Sequence, residues 1–357
     1  MGGSGERSEA AHGHRTTNEQ ACSMNVIGRM DGFQQRHRWA GLPLAVIYKF
    51  VDDQAGYLTA LITYYGFVSL FPLLLLLVTV LGFALQDNPT LQQQVLDSAL
   101  AQFPVIGDQI GANIHSLHGS LPGLVIGLIG GLYGGLGVVQ AAQNALNKVW
   151  GVPRNSRPNP IRARLRSLAL LSAFGAGIIA TTALSAVTAI DGPYGNGLRV
   201  TAIVIAVGLN VALFAIAFRI LTARPLTTRQ VGAAAVTGAL VWQTLQWAGA
   251  VLAGHTLRGA TATYGLFGVV LGLLAWIYLA ALTFVTCAEI NSVRLQHLWP
   301  RSLLTPFTDR VDLTPADKRA YTSYAETERH KGFERIDVDF LHRAPTQQQP
   351  PPADDTE

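Results

Sequence analysis

A long segment without basic residues constrains the fold of this chain more than any other feature. Between Lys49 and Lys148 there is no Lys or Arg, and the only acids are Asp52, Asp53, Asp87, Asp97 and Asp108. Only 13% of all residues are charged, against roughly 25% in an ordinary soluble domain. A water-facing surface needs more charge than this, whereas the interior of a bilayer disfavours charge. The pattern therefore predicts a chain embedded in a membrane.

Six apolar stretches are long enough, at about 20 residues, to cross a hydrocarbon core of roughly 30 Å. They cover residues 57–85, 121–146, 168–190, 200–220, 231–253 and 262–291. None of them carries Lys, Arg or Asp across its middle. We therefore predict an all-α polytopic membrane protein, a bundle of six transmembrane helices with additional interfacial helices.

The basic residues alternate between the two sides of these six spans. All but Arg199 and Arg258 of the 26 Lys and Arg residues fall on one side, which the positive-inside rule assigns to the cytoplasm. We therefore expect a multi-pass protein of the plasma (inner) membrane with both termini cytoplasmic. The same topology accounts for the net charge of +4, so we expect no nucleic-acid partner.

Polar sequence at both ends sets the domain boundaries. Residues 1–32 are predicted to be a disordered cytoplasmic tail, 33–299 the six-span domain, and 300–357 a polar and largely disordered cytoplasmic tail. A short helix that begins at Pro43 is expected to lie on the inner leaflet, with Lys49 outside its apolar face. A second helix, over residues 89–103, is expected either to lie at the outer interface or to pack over the bundle.

The second predicted span carries a glycine ladder, in which glycines recur every four residues. Its members are Gly123, Gly127, Gly131 and Gly135. Such a face allows another helix to approach closely. Two interpretations remain open at this point, a static packing surface or a seam that moves and admits lipid.

In the first predicted span, Pro72 cannot donate a backbone hydrogen bond and is expected to kink the helix. Tyr64, Tyr65 and Ser69 precede it on adjoining faces. These residues favour either a hinge beside a polar crevice or ordinary packing in the bundle.

Polar side chains also mark the inner ends of two spans. Asn144 and Asn147 close the second span, where amides usually bond between helices and could instead contact lipid headgroups. Glu289 and Asn291 close the sixth span. An ionisable group at the membrane edge is most often paired, and Arg219 is a candidate partner for Glu289.

The connection between the second and third spans is strongly basic. Its arginines Arg154, Arg157, Arg162 and Arg166 would each attract anionic inner-leaflet lipid by about 1 kcal/mol near the surface. The alternative is that they only set the orientation of the chain.

Motifs for catalysis are missing from the sequence. There is no Walker-type phosphate loop, no His-Glu-x-x-His or Cys-rich metal motif and no Gly-x-Ser-x-Gly nucleophile elbow. No span carries an acid, Lys or Arg near its midpoint, as proton-coupled transporters generally require. We therefore expect no enzyme, no cofactor and no metal. Membrane lipids are the expected partners, with a homo-oligomer or an envelope protein as further possibilities.

Several segments together resemble the YihY / virulence factor BrkB family. The first is YYGFVSLFPLL at residues 64–74, followed by segments 145–151, 224–238, 264–268, 276–278 and 288–291. The resemblance implies a six-span inner-membrane bundle with a role in envelope integrity. Some members are linked to serum resistance or to export of lipid A precursors, and some were labelled ribonuclease BN.

These observations leave three functional hypotheses. The first is a membrane protein that moves or positions an amphipathic envelope lipid, and the alternative is a non-transporting membrane scaffold or interaction protein. The third, a ribonuclease, is disfavoured because the chain has no metal-nuclease cluster and its basic loops are too short for an RNA-binding domain.

Overall fold

The computed structural model describes residues 29–84, 121–188, 195–252, 258–308 and 311–340, and every regular element within them is helical. Residues 29–36 are helical and lead into helix α1. The helices are α1 (Arg38–Asp52), α2 (Ala55–Ala84), α3 (Leu121–Val149), α4 (Pro160–Thr188), α5 (Gly195–Leu221), α6 (Thr228–Leu252), α7 (Arg258–Leu295) and α8 (Pro315–Thr327). A short 3₁₀ turn, Arg154–Ser156, lies between α3 and α4.

The six long helices, α2 to α7, correspond to the six predicted apolar stretches. Four of them contain segments long and apolar enough to cross a membrane, namely Ala55–Leu76, Pro122–Val149, Val204–Leu221 and Val270–Leu295. Helices α4 and α6 are 29 and 25 residues long but begin with basic residues. The all-helical membrane architecture is therefore confirmed, while the count of six spans stays a prediction.

The long helices pack against one another in chain order, and the last of them contacts the first. Each of α2 to α6 packs against the next helix along the chain, and α7 returns to pack against α2. Helix α3 also contacts α5 and α7, and α1 packs against α7 and α2. The main buried cluster joins the beginnings of α2, α4 and α6 to the ends of α3, α5 and α7. Neighbouring long helices are therefore antiparallel.

Side-chain to backbone hydrogen bonds hold this end of the bundle together. The Asn147 side-chain oxygen accepts from the Ala223 amide at 2.8 Å, which joins the end of α3 to the α5–α6 connection. The Ser292 hydroxyl donates to the Val149 carbonyl at 2.8 Å. We call this region, where α3, α5 and α7 end, the basic end, because the arginine-rich connections lie here.

Both terminal segments fold onto the basic end, which differs from the predicted disorder. The Asp31 carboxylate accepts from the Leu303 amide at 2.9 Å, so residues 29–32 are not a free tail. After Pro300, helix α8 begins with a capping box between Thr314 and Asp317. The prediction of disorder was wrong for residues 301–308 and 311–327, because the charged side chains of Arg301 and Asp317, which were expected in water, are paired and buried. Residues 1–28, 309–310 and 341–357, and the helix predicted over 89–103, lie outside the described residues.

Helix α1 also differs from its prediction. It begins at Arg38 rather than at Pro43, and one face is buried against the bundle, with Ala45 1% exposed. Ile47 and Val51 are exposed, at 57% and 64%, and present an apolar surface on the other side. Lys49, expected on a polar face, is only 3% exposed.

Candidate functional site at the basic end

Part of the glycine ladder of α3 packs directly against α2. A Cβ atom added to Gly127 would lie 2.8 Å from the Leu76 backbone nitrogen. Gly131 meets the Leu73 side chain, whereas Gly135 faces Leu171 of α4 at ordinary contact distance. Gly123 is also buried.

Glycines beside the predicted ladder make the closest contacts with α2. Gly130 lies against Pro72, and a Cβ added to Gly134 would come within 2.6 Å of the Ser69 Cα. Ser69 is buried and donates to the Gly66 carbonyl at 3.0 Å. The two backbones are therefore in close contact along this face.

Tyr64 and Tyr65 face different surroundings. The Tyr65 ring packs over Gly137, which has no room for a Cβ atom. Tyr64 is 60% exposed. The two rings nevertheless contact each other edge-on, with their centroids 5.3 Å apart.

We expect Gly134→Ala to destabilise the chain by about 1–3 kcal/mol, because the new methyl group overlaps the α2 backbone. The matched control is Gly208→Ala in α5, since nothing lies within 4 Å of its added Cβ. That control should be neutral or stabilising by up to about 1 kcal/mol, from the higher helix propensity of alanine. Thermal unfolding in detergent measures both variants, and an equal loss in the two would contradict the close α2–α3 contact.

The four arginines predicted to contact anionic lipid divide into two pairs. Arg154 forms an ion pair with Glu328 at 2.7 Å, and Arg157 donates to the side-chain oxygen of Asn144 at 3.0 Å. Arg162 is exposed and Arg166 is half-buried at the start of α4. The Arg162 backbone amide donates to the Asn159 side chain at 3.2 Å, but neither guanidinium of this second pair has a recorded ion pair or hydrogen bond among the described residues.

The two polar residues Asn147 and Asn291 have structural partners. Asn147 is 4% exposed and holds the α5–α6 connection. Asn291 donates to the Gln230 carbonyl at 2.9 Å and so joins α7 to the beginning of α6. Both amides therefore bond between elements of the bundle.

Glu289 pairs with Lys49 and not with Arg219, so the predicted pairing was wrong. Glu289 is 0% exposed, and one of its carboxylate oxygens lies 3.6 Å from the Lys49 ammonium. Arg219 is exposed at the end of α5. The physical reason is that α1 packs against α7 and brings Lys49 to the buried carboxylate.

We call Lys49, Asp53 and Glu289 the Lys49 cluster. The Lys49 ammonium donates to the Asp53 carboxylate within the same short segment of chain. Burial alone would lower the pKa of Lys49, but the adjacent Glu289 and Asp53 carboxylates reverse this and raise the pKa above its usual value. Lys49 is therefore a charged ammonium that lies buried between Asp53 and Glu289. Neither Glu289 oxygen has a hydrogen-bond partner among the described residues.

We call Arg301, Asp52 and Asp317 the Arg301 cluster, and it attaches the C-terminal segment to α1. The Arg301 guanidinium donates from Nε to Asp317 at 2.6 Å and from Nη1 to Asp52 at 3.1 Å. Arg301 is 1% exposed, and it lies over the Tyr48 and Tyr321 rings at 5.8 and 5.6 Å.

Tyr324 of α8 joins the two clusters. Its hydroxyl donates to the Asp52 carboxylate at 3.1 Å, and its ring lies 5.7 Å from the Lys49 ammonium. Burial raises the pKa of Tyr324 well above its usual value, and the neighbouring Asp52 and Asp53 act in the same direction. The phenol therefore keeps its proton and remains a donor.

The sequence offered one signal for part of this arrangement. Thr314, Pro315 and Asp317 have the spacing of a helix N-terminus with a capping box, and the structure contains that box. No comparable local pattern in the sequence predicts the pairing of Lys49 with Glu289, because 240 residues separate the two. Buried ion pairs thus connect α1, α7 and α8 at the basic end.

The chain matches a known protein family over most of its length. The sequence profile of the family described as Virulence factor BrkB matches residues 46–304. No curated protein and no solved structure matches the chain. The matched region contains all six long helices, the Lys49 cluster and Arg301. Because the match covers more than half of the chain, the protein belongs to the Virulence factor BrkB family and is a membrane protein with several apolar helices.

Proposed function

We propose that the chain is a six-span protein of the plasma (inner) membrane, with both termini cytoplasmic, that moves or positions an amphipathic envelope lipid. We assign it no enzymatic reaction. The observation that carries the proposal is the surface at the beginning of α4, where exposed cations and exposed apolar side chains lie side by side.

At this surface, Arg162 and Arg164 are exposed in the first two turns of α4. Between and beside them, Ile161 and Leu165 are 72% and 61% exposed. An anionic headgroup can pair with the guanidinium groups while acyl chains lie along the apolar side chains, with each basic residue contributing about 1 kcal/mol. This combination suits a lipid better than a wholly polar or wholly apolar ligand.

The positions of the other exposed arginines support the proposed orientation of the chain in the membrane. Three further helix ends carry an exposed arginine at the same end of the bundle as Arg162. These residues are Arg219, Arg229 and Arg294. Cytoplasmic ends of membrane helices collect such residues. The basic end is therefore the cytoplasmic end in this proposal, and lipid of the inner leaflet would meet Arg162 and Arg164 there.

Redistribution of a labelled anionic lipid in reconstituted liposomes tests the proposal. We expect the wild type to accelerate redistribution over empty liposomes, and the double variant Arg162→Gln/Arg164→Gln to slow it severalfold, because two headgroup contacts are lost. The control is Lys331→Gln/Arg335→Gln, which removes the same charge from exposed positions outside the long helices. Wild type indistinguishable from empty liposomes, across several envelope lipids, would contradict lipid movement.

A non-transporting scaffold is the second proposal, and the closed contact between α2 and α3 favours it. Backbones that touch at Gly127 and Gly134 leave no space for a lipid between these two helices. In that case lipid redistribution would match empty liposomes. The Arg162→Gln/Arg164→Gln variant would nevertheless restore envelope integrity to cells that lack the protein.

A further inference from the structure

A cavity of about 450 Å³ lies at the basic end, on the side of α8 away from the Lys49 cluster. Its walls are the turn after α3 (Trp150 and Gly151), Arg224 of the α5–α6 connection, Gln296 after α7, and α8. The volume falls within the range of roughly 300–1,000 Å³ that is typical of small-molecule sites. The lipid surface proposed above, at the beginning of α4, does not include any of these residues.

The cavity has a strong excess of positive charge. Arg224, Lys318 and Arg319 line it, with Glu326 as the acid among the lining residues. None of the three cations forms an ion pair within the described part of the chain. Arg319 donates from Nη2 to the His297 carbonyl, which fixes one edge of its guanidinium. The Lys318 ammonium lies 5.9 Å from the centre of the Phe340 ring, a contact that does not neutralise its charge. The positive charge of the walls is therefore available to a ligand.

Hydroxyl groups supplement the cations on the same face of α8. Thr322 and Ser323 follow Lys318 and Arg319 by one helical turn and line the same cavity. Lys and Arg together with hydroxyl donors are the groups that bind phosphate oxygens in proteins, since the charged donors form the stronger hydrogen bonds.

Gly151 permits the opposite wall to approach α8. Its φ of +61° lies in the left-handed region, which favours glycine. A Cβ atom added there would come 2.6 Å from the Ser323 hydroxyl oxygen. The turn therefore places Trp150 and Gly151 directly against the hydroxyl side of the cavity. Any larger residue in place of Gly151 would push the turn away from α8.

We propose that this cavity binds a phosphate-bearing anion, which is either the headgroup phosphate of an anionic lipid or a soluble phosphate compound. Two of its cations come from different elements, Arg224 from the α5–α6 connection and Lys318 from α8. This proposal does not depend on the proposed lipid movement, because it is argued from the residues that line the cavity and not from the surface of α4.

The test uses the full-length chain in detergent and two probes. Inorganic phosphate, at constant ionic strength, represents the soluble source. Short-chain phosphatidylglycerol represents the lipid source, with short-chain phosphatidylcholine as its zwitterionic counterpart. We expect saturable binding of inorganic phosphate or of phosphatidylglycerol by calorimetric titration. Binding of phosphate identifies a soluble ligand class, and binding of phosphatidylglycerol alone identifies a lipid headgroup.

Two double variants separate this site from general surface charge. Arg224→Gln/Lys318→Gln should weaken the observed binding by about tenfold or more, since one charged contact is lost on each wall. Arg229→Gln/Lys331→Gln removes the same charge from exposed residues that do not line the cavity, and should change affinity less than twofold. Absence of saturable binding to the wild type, or equal weakening by both double variants, would overturn the proposal. Failure of the liposome assay would leave these binding results unchanged.

Discussion

Replacing Lys49 with methionine will lower the free energy of unfolding by about 3–5 kcal/mol, the typical cost of removing one partner from a buried ion pair. Asp53 and Glu289 share this ammonium, and all three side chains are almost completely buried. Methionine preserves most of the side-chain volume and removes the charge. Asp53 and Glu289 then remain in an environment of low polarity without a cation, and a buried charge without a partner is costly.

The matched control is Lys331→Met, which makes the same substitution at an exposed residue of the C-terminal segment. Surface changes of this kind usually alter stability by less than about 0.5 kcal/mol. Thermal unfolding in detergent, with each variant at the same pH and lipid content, measures both. Equal stability of the two variants would show that Lys49 is not buried between carboxylates.

A triple variant distinguishes lost charge pairing from lost packing. Lys49→Met/Asp53→Asn/Glu289→Gln carries no charge in the cluster and should recover a large part of the stability lost in the single variant. Neutral replacement of a whole buried ion pair is often tolerated, whereas removal of one member is not. A triple variant as unstable as Lys49→Met would assign the loss to packing of the lysine side chain.

The positions of the helices along the chain were predicted well from the sequence. Each of the six apolar stretches lies largely within one long helix, because about 20 consecutive apolar residues leave few alternatives to a helix. The alternation of basic connections also agreed with the structure, in which the beginnings of α2, α4 and α6 meet the ends of the other three. The glycines at 127 and 131 predicted close helix approach, which the structure shows against α2.

The candidate site was predicted only in part. Glu289 was expected to be paired, but its partner was wrong. Periodicity and composition describe one segment at a time and contain no information on which distant charge meets which. Charged residues in polar segments were expected in water, so Arg301 and Asp317 were assigned to a disordered tail. Their burial depends on contacts with Asp52, which is 249 residues away from Arg301.

Buried charges in this chain thus hold the cytoplasmic side of the proposed topology together, and the apolar helices provide the membrane region. The α8 cavity lies next to these charges, because α8 carries both Asp317 and the lining residues Lys318 and Arg319. The docking of α8 is consequently the contact on which the geometry of the cavity depends.

Replacing Arg301 with methionine will release helix α8 from the bundle while the long helices remain folded. The guanidinium binds Asp317 of α8 and Asp52 of α1 at once, and its removal leaves Asp317, 0% exposed, without a cation. We expect docking of the C-terminal segment to lose about 3–5 kcal/mol. Regions of low local stability open without global unfolding, so the loss should appear first in this segment.

Limited proteolysis and amide hydrogen exchange measure the release. In the Arg301→Met variant, residues 311–340 should be cleaved and should exchange orders of magnitude faster than in the wild type, because each 1.4 kcal/mol of lost docking energy corresponds to about a tenfold change in the open population. Protection of α3 and α7 should change little. Arg335→Met is the matched control, since Arg335 is 85% exposed and pairs with Asp337 on the surface. Unchanged exchange in residues 311–340 of Arg301→Met would show that the Arg301 cluster does not hold α8 in place, and the anion cavity should then survive the substitution as well.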